Sequence, residues 1–129
     1  MLYWIIKLMR GSNKMNYLLL FINIIMLVSG QVLWKIGVSK LHFELSPKGI
    51  VEAILNPYIL GGGIVYVFAT VIWLYLLSRA ELSKIYPLQS LCYIFGAVAG
   101  VILFKECFTL NKAFGLILIL AGAGLIVSK

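Results

Sequence analysis

The chain has 129 residues, 63% of them hydrophobic and 12% charged, with a formal net charge of +7 and a mean hydropathy of +1.07. Apolar residues in long blocks exclude a small soluble domain, whose helices need a polar face, and match the roughly 20 residues that cross about 30 Å of hydrocarbon. The positive balance does not point to nucleic acid, because no basic stripe presents it. Lys and Arg fall between the blocks or at their ends, where anionic lipid head groups lie.

Residues 1–14 form a short apolar-basic segment that precedes the transmembrane domain at 15–129. The segment is too short to span, and reads either as an interfacial helix with Lys7, Arg10 and Lys14 on head groups or as an extension before Met15. The first span is predicted at 15–38. The connection at 39–56 carries Pro47-Lys48-Gly49, a turn signal, and has room for a short helix at 47–55. The second span, 57–77, contains Gly61-Gly62-Gly63, which permits close backbone approach. A tight turn with Arg79, Glu81 and Lys84 leads to the third span, 82–104. After a polar linker at 105–112 comes a short fourth span, 113–127, antiparallel to the third. Continuous rather than alternating apolar runs select helices over a barrel. The predicted fold is therefore an all-α integral membrane protein, a bundle of four transmembrane helices.

Four short helices enclose little volume, so a dimer is the expected functional unit. Lys7, Arg10, Lys14, Arg79, Lys84 and Lys129 fall on one side, against Lys40, Lys48, Lys105 and Lys112 on the other. That bias favours both termini in the cytoplasm. Without residues 1–13 it nearly vanishes, which leaves an antiparallel pair open.

Few polar residues lie within the spans. Gln31 and Lys35 are four apart and share a helix face, with Ser29 and Gly30 beside them. Lys35 either snorkels to the interface or, with Gln31, faces a cavity and holds an anionic head group. Lys84, Tyr86, Pro87, Gln89, Ser90 and Tyr93 cluster near one end of the third span. They form either a plain helix start, where proline is tolerated, or the wall of a groove for a polar head. Glu106 is either a loop charge or a cap on the cavity paired with a lysine. Gly96-x-x-x-Gly100, Gly115, Gly122 and Gly124 are assigned to helix and dimer packing. Cys92 and Cys107 lack a metal-ligand spacing and read as small packing residues. His42 is the only histidine. Neither a catalytic triad nor an HExxH or phosphate-loop pattern is present, so no enzyme, metal or cofactor is expected.

Two stretches resemble the drug/metabolite transporter superfamily in its four-helix, EamA-like and small-multidrug-resistance-like branch. Ser29-Gly-Gln-Val-Leu-Trp-Lys35 is similar to the first helix of the small flippase subunits for aminoarabinose linked to undecaprenyl phosphate. Ile85-Tyr-Pro-Leu-Gln-Ser-Leu91, continuing to Phe104-Lys-Glu106, is similar to their third helix. Gly115-Leu-Ile-Leu-Ile-Leu-Ala-Gly122 resembles the fourth-helix dimerisation sequence of the small multidrug exporters. Those exporters carry a membrane glutamate in the first helix, where Leu27 falls here, and a third-helix tryptophan where Gln89 falls. Without a buried acid in the first span, proton-coupled export of a cation lacks its usual chemical basis.

The resemblance implies a flippase of a polyprenyl-phosphate-linked head group in a bacterial inner membrane, working as a homodimer or with a similar four-helix subunit. Lys35 would bind phosphate, with Lys84 a second phosphate candidate at the groove mouth. Gln31, Gln89 and Ser90 would hydrogen-bond the head, and Tyr86 and Tyr93 would stack on sugar. Two alternatives stand beside it: an exporter of a small cation or metabolite using Glu106 or Glu81, and a non-transporting subunit of a larger membrane assembly.

Overall fold

The computed structural model describes residues 13–41 and 44–128, which fold into six α-helices. They are α1 (Asn13–Lys40), α2 (Pro47–Leu55), α3 (Pro57–Leu77), α4 (Leu82–Leu88), α5 (Leu91–Phe104) and α6 (Leu110–Val127). Most of the segment read as an interfacial helix, and His42, lie outside the described residues. Among the described residues, three stretches are long and apolar enough to cross a membrane: Lys14–Lys40, Pro57–Leu77 and Leu82–Phe104. The shorter Leu110–Ile126 is also apolar, and the 18 residues of α6 extend about 27 Å at 1.5 Å per residue. That length falls just short of the roughly 30 Å hydrocarbon layer. The protein is a multi-pass helical membrane protein.

Local chemistry sets the helix starts. Ser46 caps α2 by accepting the Gly49 amide at 3.1 Å, and Asn56 caps α3 by accepting the Tyr58 amide at 2.9 Å. In both cases a proline, Pro47 or Pro57, occupies the first turn, where an amide donor is not needed. Thr109 caps α6 and starts it three residues before the predicted 113.

The third span is not one helix. Pro87 lies inside α4 and has no amide to give the preceding turn. Past it the backbone tightens: Ser90 N–H bonds Pro87 C=O at 3.0 Å, Cys92 N–H bonds Gln89 C=O and Tyr93 N–H bonds Ser90 C=O, both at 2.9 Å. Gln89 (φ −63°, ψ −17°) and Ser90 (φ −59°, ψ −17°) have 3₁₀-like angles. The three-residue bonds keep the backbone satisfied, as lipid surroundings require, while breaking the α-helical ladder.

α1 and α3 cross closely because glycines meet there. A Cβ on Gly62 would run into the Trp34 indole and come within 2.9 Å of the Gly30 carbonyl; one on Gly30 would meet the Tyr66 ring at 2.7 Å. Trp34 fills the seam, stacked on Tyr66 with centroids 4.4 Å apart and donating Nε1–H to the Ile59 carbonyl at 3.0 Å. Toward the other end, Leu20, Ile24, Leu76 and Ile85 form the core. Beside it Asn23 is fully buried and donates Nδ2–H to the Ala69 carbonyl at 2.5 Å.

α5 leans on α1, while α6 touches α4 more than α5. Among the described residues, Gly96, Gly115, Gly122 and Gly124 have no atom within 4 Å of a Cβ built on them, so of the two roles expected for them, helix packing or dimer packing, the first has no partner there. Gly100 is in contact, but with the Glu106 side chain rather than a neighbouring helix.

Candidate functional site

A groove runs between α1 and the α4–α5 break. Its wider part, about 540 Å³, is lined by Leu27, Val28, Gln31 and Tyr66 on one side and by Tyr86, Gln89, Ser90 and Tyr93 on the other. A narrower part of about 190 Å³ is lined by Val28, Gln31, Lys35, Gly100, Phe104 and Glu106. Val28 and Gln31 line both, so the two cavities adjoin on the same face of α1. The wider one lies in the size range of small-molecule sites.

Helical spacing sets the wall. Tyr86, Gln89, Ser90 and Tyr93 stand at i, i+3, i+4 and i+7, one face of a helix. Tyr86 and Tyr93 are about two-thirds exposed, at 63% and 62%, so their rings stand at the open side. Trp73 braces Tyr86 edge-on at 6.0 Å. Ser90 Oγ is buried and has no hydrogen-bond partner among the described residues. Opposite, Gln31 donates Nε2–H to the Tyr66 hydroxyl at 2.9 Å, which fixes the amide across the groove.

At the narrow end Lys35 donates Nζ–H to Glu106 Oε1 and lies over the Phe104 ring, 4.5 Å from its centroid. Both side chains of this ion pair are about half exposed. Glu106 is held by the end of α5. Lys105 turns into the left-handed region (φ 54°, ψ 35°), and the amides of Lys105 and Glu106 both donate to the Gly100 carbonyl, the latter at 3.1 Å. This is the closure that usually employs glycine at the left-handed position. Gly100 clears the space, since a Cβ there would sit 2.7 Å from Glu106 Oε2. The Lys35 ammonium, by hydrogen bond and by charge, holds the Glu106 carboxyl below the usual carboxylate range, and Lys112 adds to the effect.

Seven of the eight residues read as binding candidates line these two cavities: Gln31, Lys35, Tyr86, Gln89, Ser90, Tyr93 and Glu106. Lys84 does not. It pairs with Glu81 at 2.9 Å and lines a separate cavity of about 210 Å³ with Asn16, Tyr17 and Arg79. Two residues from Tyr86 is about 200° around a helix, so Lys84 leaves the groove face. Sequence reasoning missed the stacking of Tyr66 of α3 on Trp34 of α1. It also missed Asn23, although an amide inside an apolar run was a signal that could have found it.

The sequence matches the EamA-like transporter family over residues 6–128. It is 33% identical over 125 residues to a protein of Proteus mirabilis named as a probable 4-amino-4-deoxy-L-arabinose-phosphoundecaprenol flippase subunit, ArnF, covering 90% of this chain and 94% of that one. It is also 26% identical over 109 residues to an ArnE subunit of the corresponding name from Aeromonas salmonicida, covering 84% and 94% of the two chains. An ArnE subunit from Erwinia tasmaniensis is 36% identical over 70 residues, covering 54% and 65%. No solved structure matches.

Proposed function

This chain belongs to the EamA-like transporter family, and from that premise we propose that it is a subunit of a flippase for a polyprenyl-phosphate-linked head group in a bacterial inner membrane. A polyprenyl tail stays in the bilayer while only the head crosses, a task suited to a side-open groove in a small bundle. The observation that carries the reading is the adjacency of the two cavities, one lined by tyrosines and amides and the next by a single lysine. In this reading Lys35 takes the phosphate, while Gln31, Gln89 and Ser90 hydrogen-bond the head. Tyr86 and Tyr93 offer their rings to a sugar, and the unpartnered Ser90 hydroxyl gains a partner from it.

The relatives named as flippase subunits support a working unit of two chains, a second copy or a similar four-helix partner. The glycine face of α6 that carries Gly115 and Gly122, seven residues apart and both open among the described residues, is the surface offered for it. Export of a soluble cation is less well supported, because both acids it would use are already paired, Glu106 with Lys35 and Glu81 with Lys84.

The test is translocation of a labelled polyprenyl-phosphate sugar in proteoliposomes containing the chain and its partner. Lys35→Ala is expected to lower the rate at least tenfold with the purified protein still folded. Full transport by that variant would remove phosphate binding from the role of Lys35.

A further inference from the structure

The cation proposed to take the phosphate is already occupied. Lys35 gives its ammonium to Glu106, so an incoming phosphate must exchange with a carboxylate. That carboxylate is held in position rather than trailing from a loose loop. The left-handed Lys105, the two amides on the Gly100 carbonyl and the missing side chain of Gly100 together fix Glu106 over the end of α5. The rest of the groove wall is neutral: two amides, a hydroxyl and tyrosines.

We infer that Glu106 is the specificity-determining residue of the groove and that, with Lys35, it selects head groups joining a phosphate to an amine; this rests on the lipid-carrier reading above. The reason is the conservation of charge pairs beside a low-dielectric bilayer. A head group bearing only phosphate would satisfy Lys35 but leave the Glu106 carboxylate next to a second anion, where like charges repel. A neutral head group would leave the original pair closed. A zwitterionic head exchanges partners, phosphate to Lys35 and ammonium to Glu106, so that one ion pair is replaced by two and neither charge is stranded. The aminosugar in the names of the relatives has this chemistry. So does phosphatidylethanolamine, the second source of a phosphate joined to an amine.

The experiment measures lipid binding to the chain in nanodiscs of phosphatidylglycerol, which lacks an amine. The probes are a polyprenyl-phosphate aminosugar, its N-acetylated form and phosphatidylethanolamine. The wild type is expected to bind the aminosugar lipid at least tenfold more tightly than the N-acetylated lipid, a comparison that needs no variant. In Glu106→Gln the two should bind within twofold of each other, while Glu106→Asp should retain part of the preference. Equal binding of the two polyprenyl lipids by the wild type, or a preference that survives Glu106→Gln, would overturn this inference alone. Failure of the wild type to bind either polyprenyl lipid would overturn the carrier reading and this inference with it. Displacement of the aminosugar lipid by an equal concentration of phosphatidylethanolamine would overturn selection of the polyprenyl head group.

Discussion

The α1–α3 seam and the outer face of α5 and α6 are both rich in glycine, yet only the first is closed. At the seam Gly30 and Gly62 bring two backbones together, and the space they leave is filled by Trp34 and Tyr66. On α5 and α6 the glycines Gly96, Gly115, Gly122 and Gly124 meet nothing within 4 Å among the described residues. Small residues permit close approach without causing it. A large side chain reaching across from the partner and a hydrogen bond to lock it decide where helices meet in lipid, because apolar contact alone favours neither lipid nor protein.

Substitution at the seam should destabilise the protein most. Gly62→Val forces a side chain into the Trp34 ring and the Gly30 carbonyl, and we expect a loss of about 3 kcal/mol. In size-exclusion profiles after heating, the monodisperse peak should disappear well below the wild-type transition. Trp34→Phe keeps the stack but removes the donor to the Ile59 carbonyl, at an expected cost of about 1 kcal/mol. Its melting temperature should fall measurably while the protein stays folded. Asn23→Leu removes the amide bond to Ala69, and interhelical hydrogen bonds in membranes average about 0.6 kcal/mol. A smaller shift in melting temperature is therefore expected, read in the same assay. Smallest is Gly122→Leu, which should leave the single chain's melting temperature unchanged. If the open glycine face receives a second subunit, the same change should abolish the dimer peak in native mass spectrometry.

The Lys35–Glu106 pair, unlike either glycine-rich face, responds to pH. The folded carboxyl is held below the ordinary value of about 4.3. Its contribution to stability is therefore complete above that value and is lost as pH falls through the lower folded one. Melting temperature should show no step from this pair between pH 7 and 5. The difference between wild type and Glu106→Gln should shrink only below about pH 4.

Much of this architecture was legible in the sequence. Ser46-Pro47 and Asn56-Pro57 announce helix starts, and the second span begins and ends where its apolar block does. The four-residue spacing of Gln31 and Lys35 already gave them one face. The interruption at Gln89–Ser90 was less visible, because Pro87 is compatible both with a first turn and with a break, and only the three-residue bonds beyond it decide. Helix registers were not legible at all. Spans that are apolar all round carry no periodic signal of which face meets which neighbour. Hence the partnership of Trp34 with Tyr66, and the outward turn of Gly115 and Gly122, emerge only from packing. Nearness in sequence places Lys84 with the groove residues, but its angle around the helix separates it from Tyr86.

Native mass spectrometry of the gently purified protein, with retained lipids identified and carrier lipid added back, tests lipid binding by Lys35 most directly. A polyprenyl phosphate or its glycosylated form is expected bound to the wild type and lost in Lys35→Ala. No binding of added carrier lipid by the wild type, or equal binding by Lys35→Ala, would contradict that role.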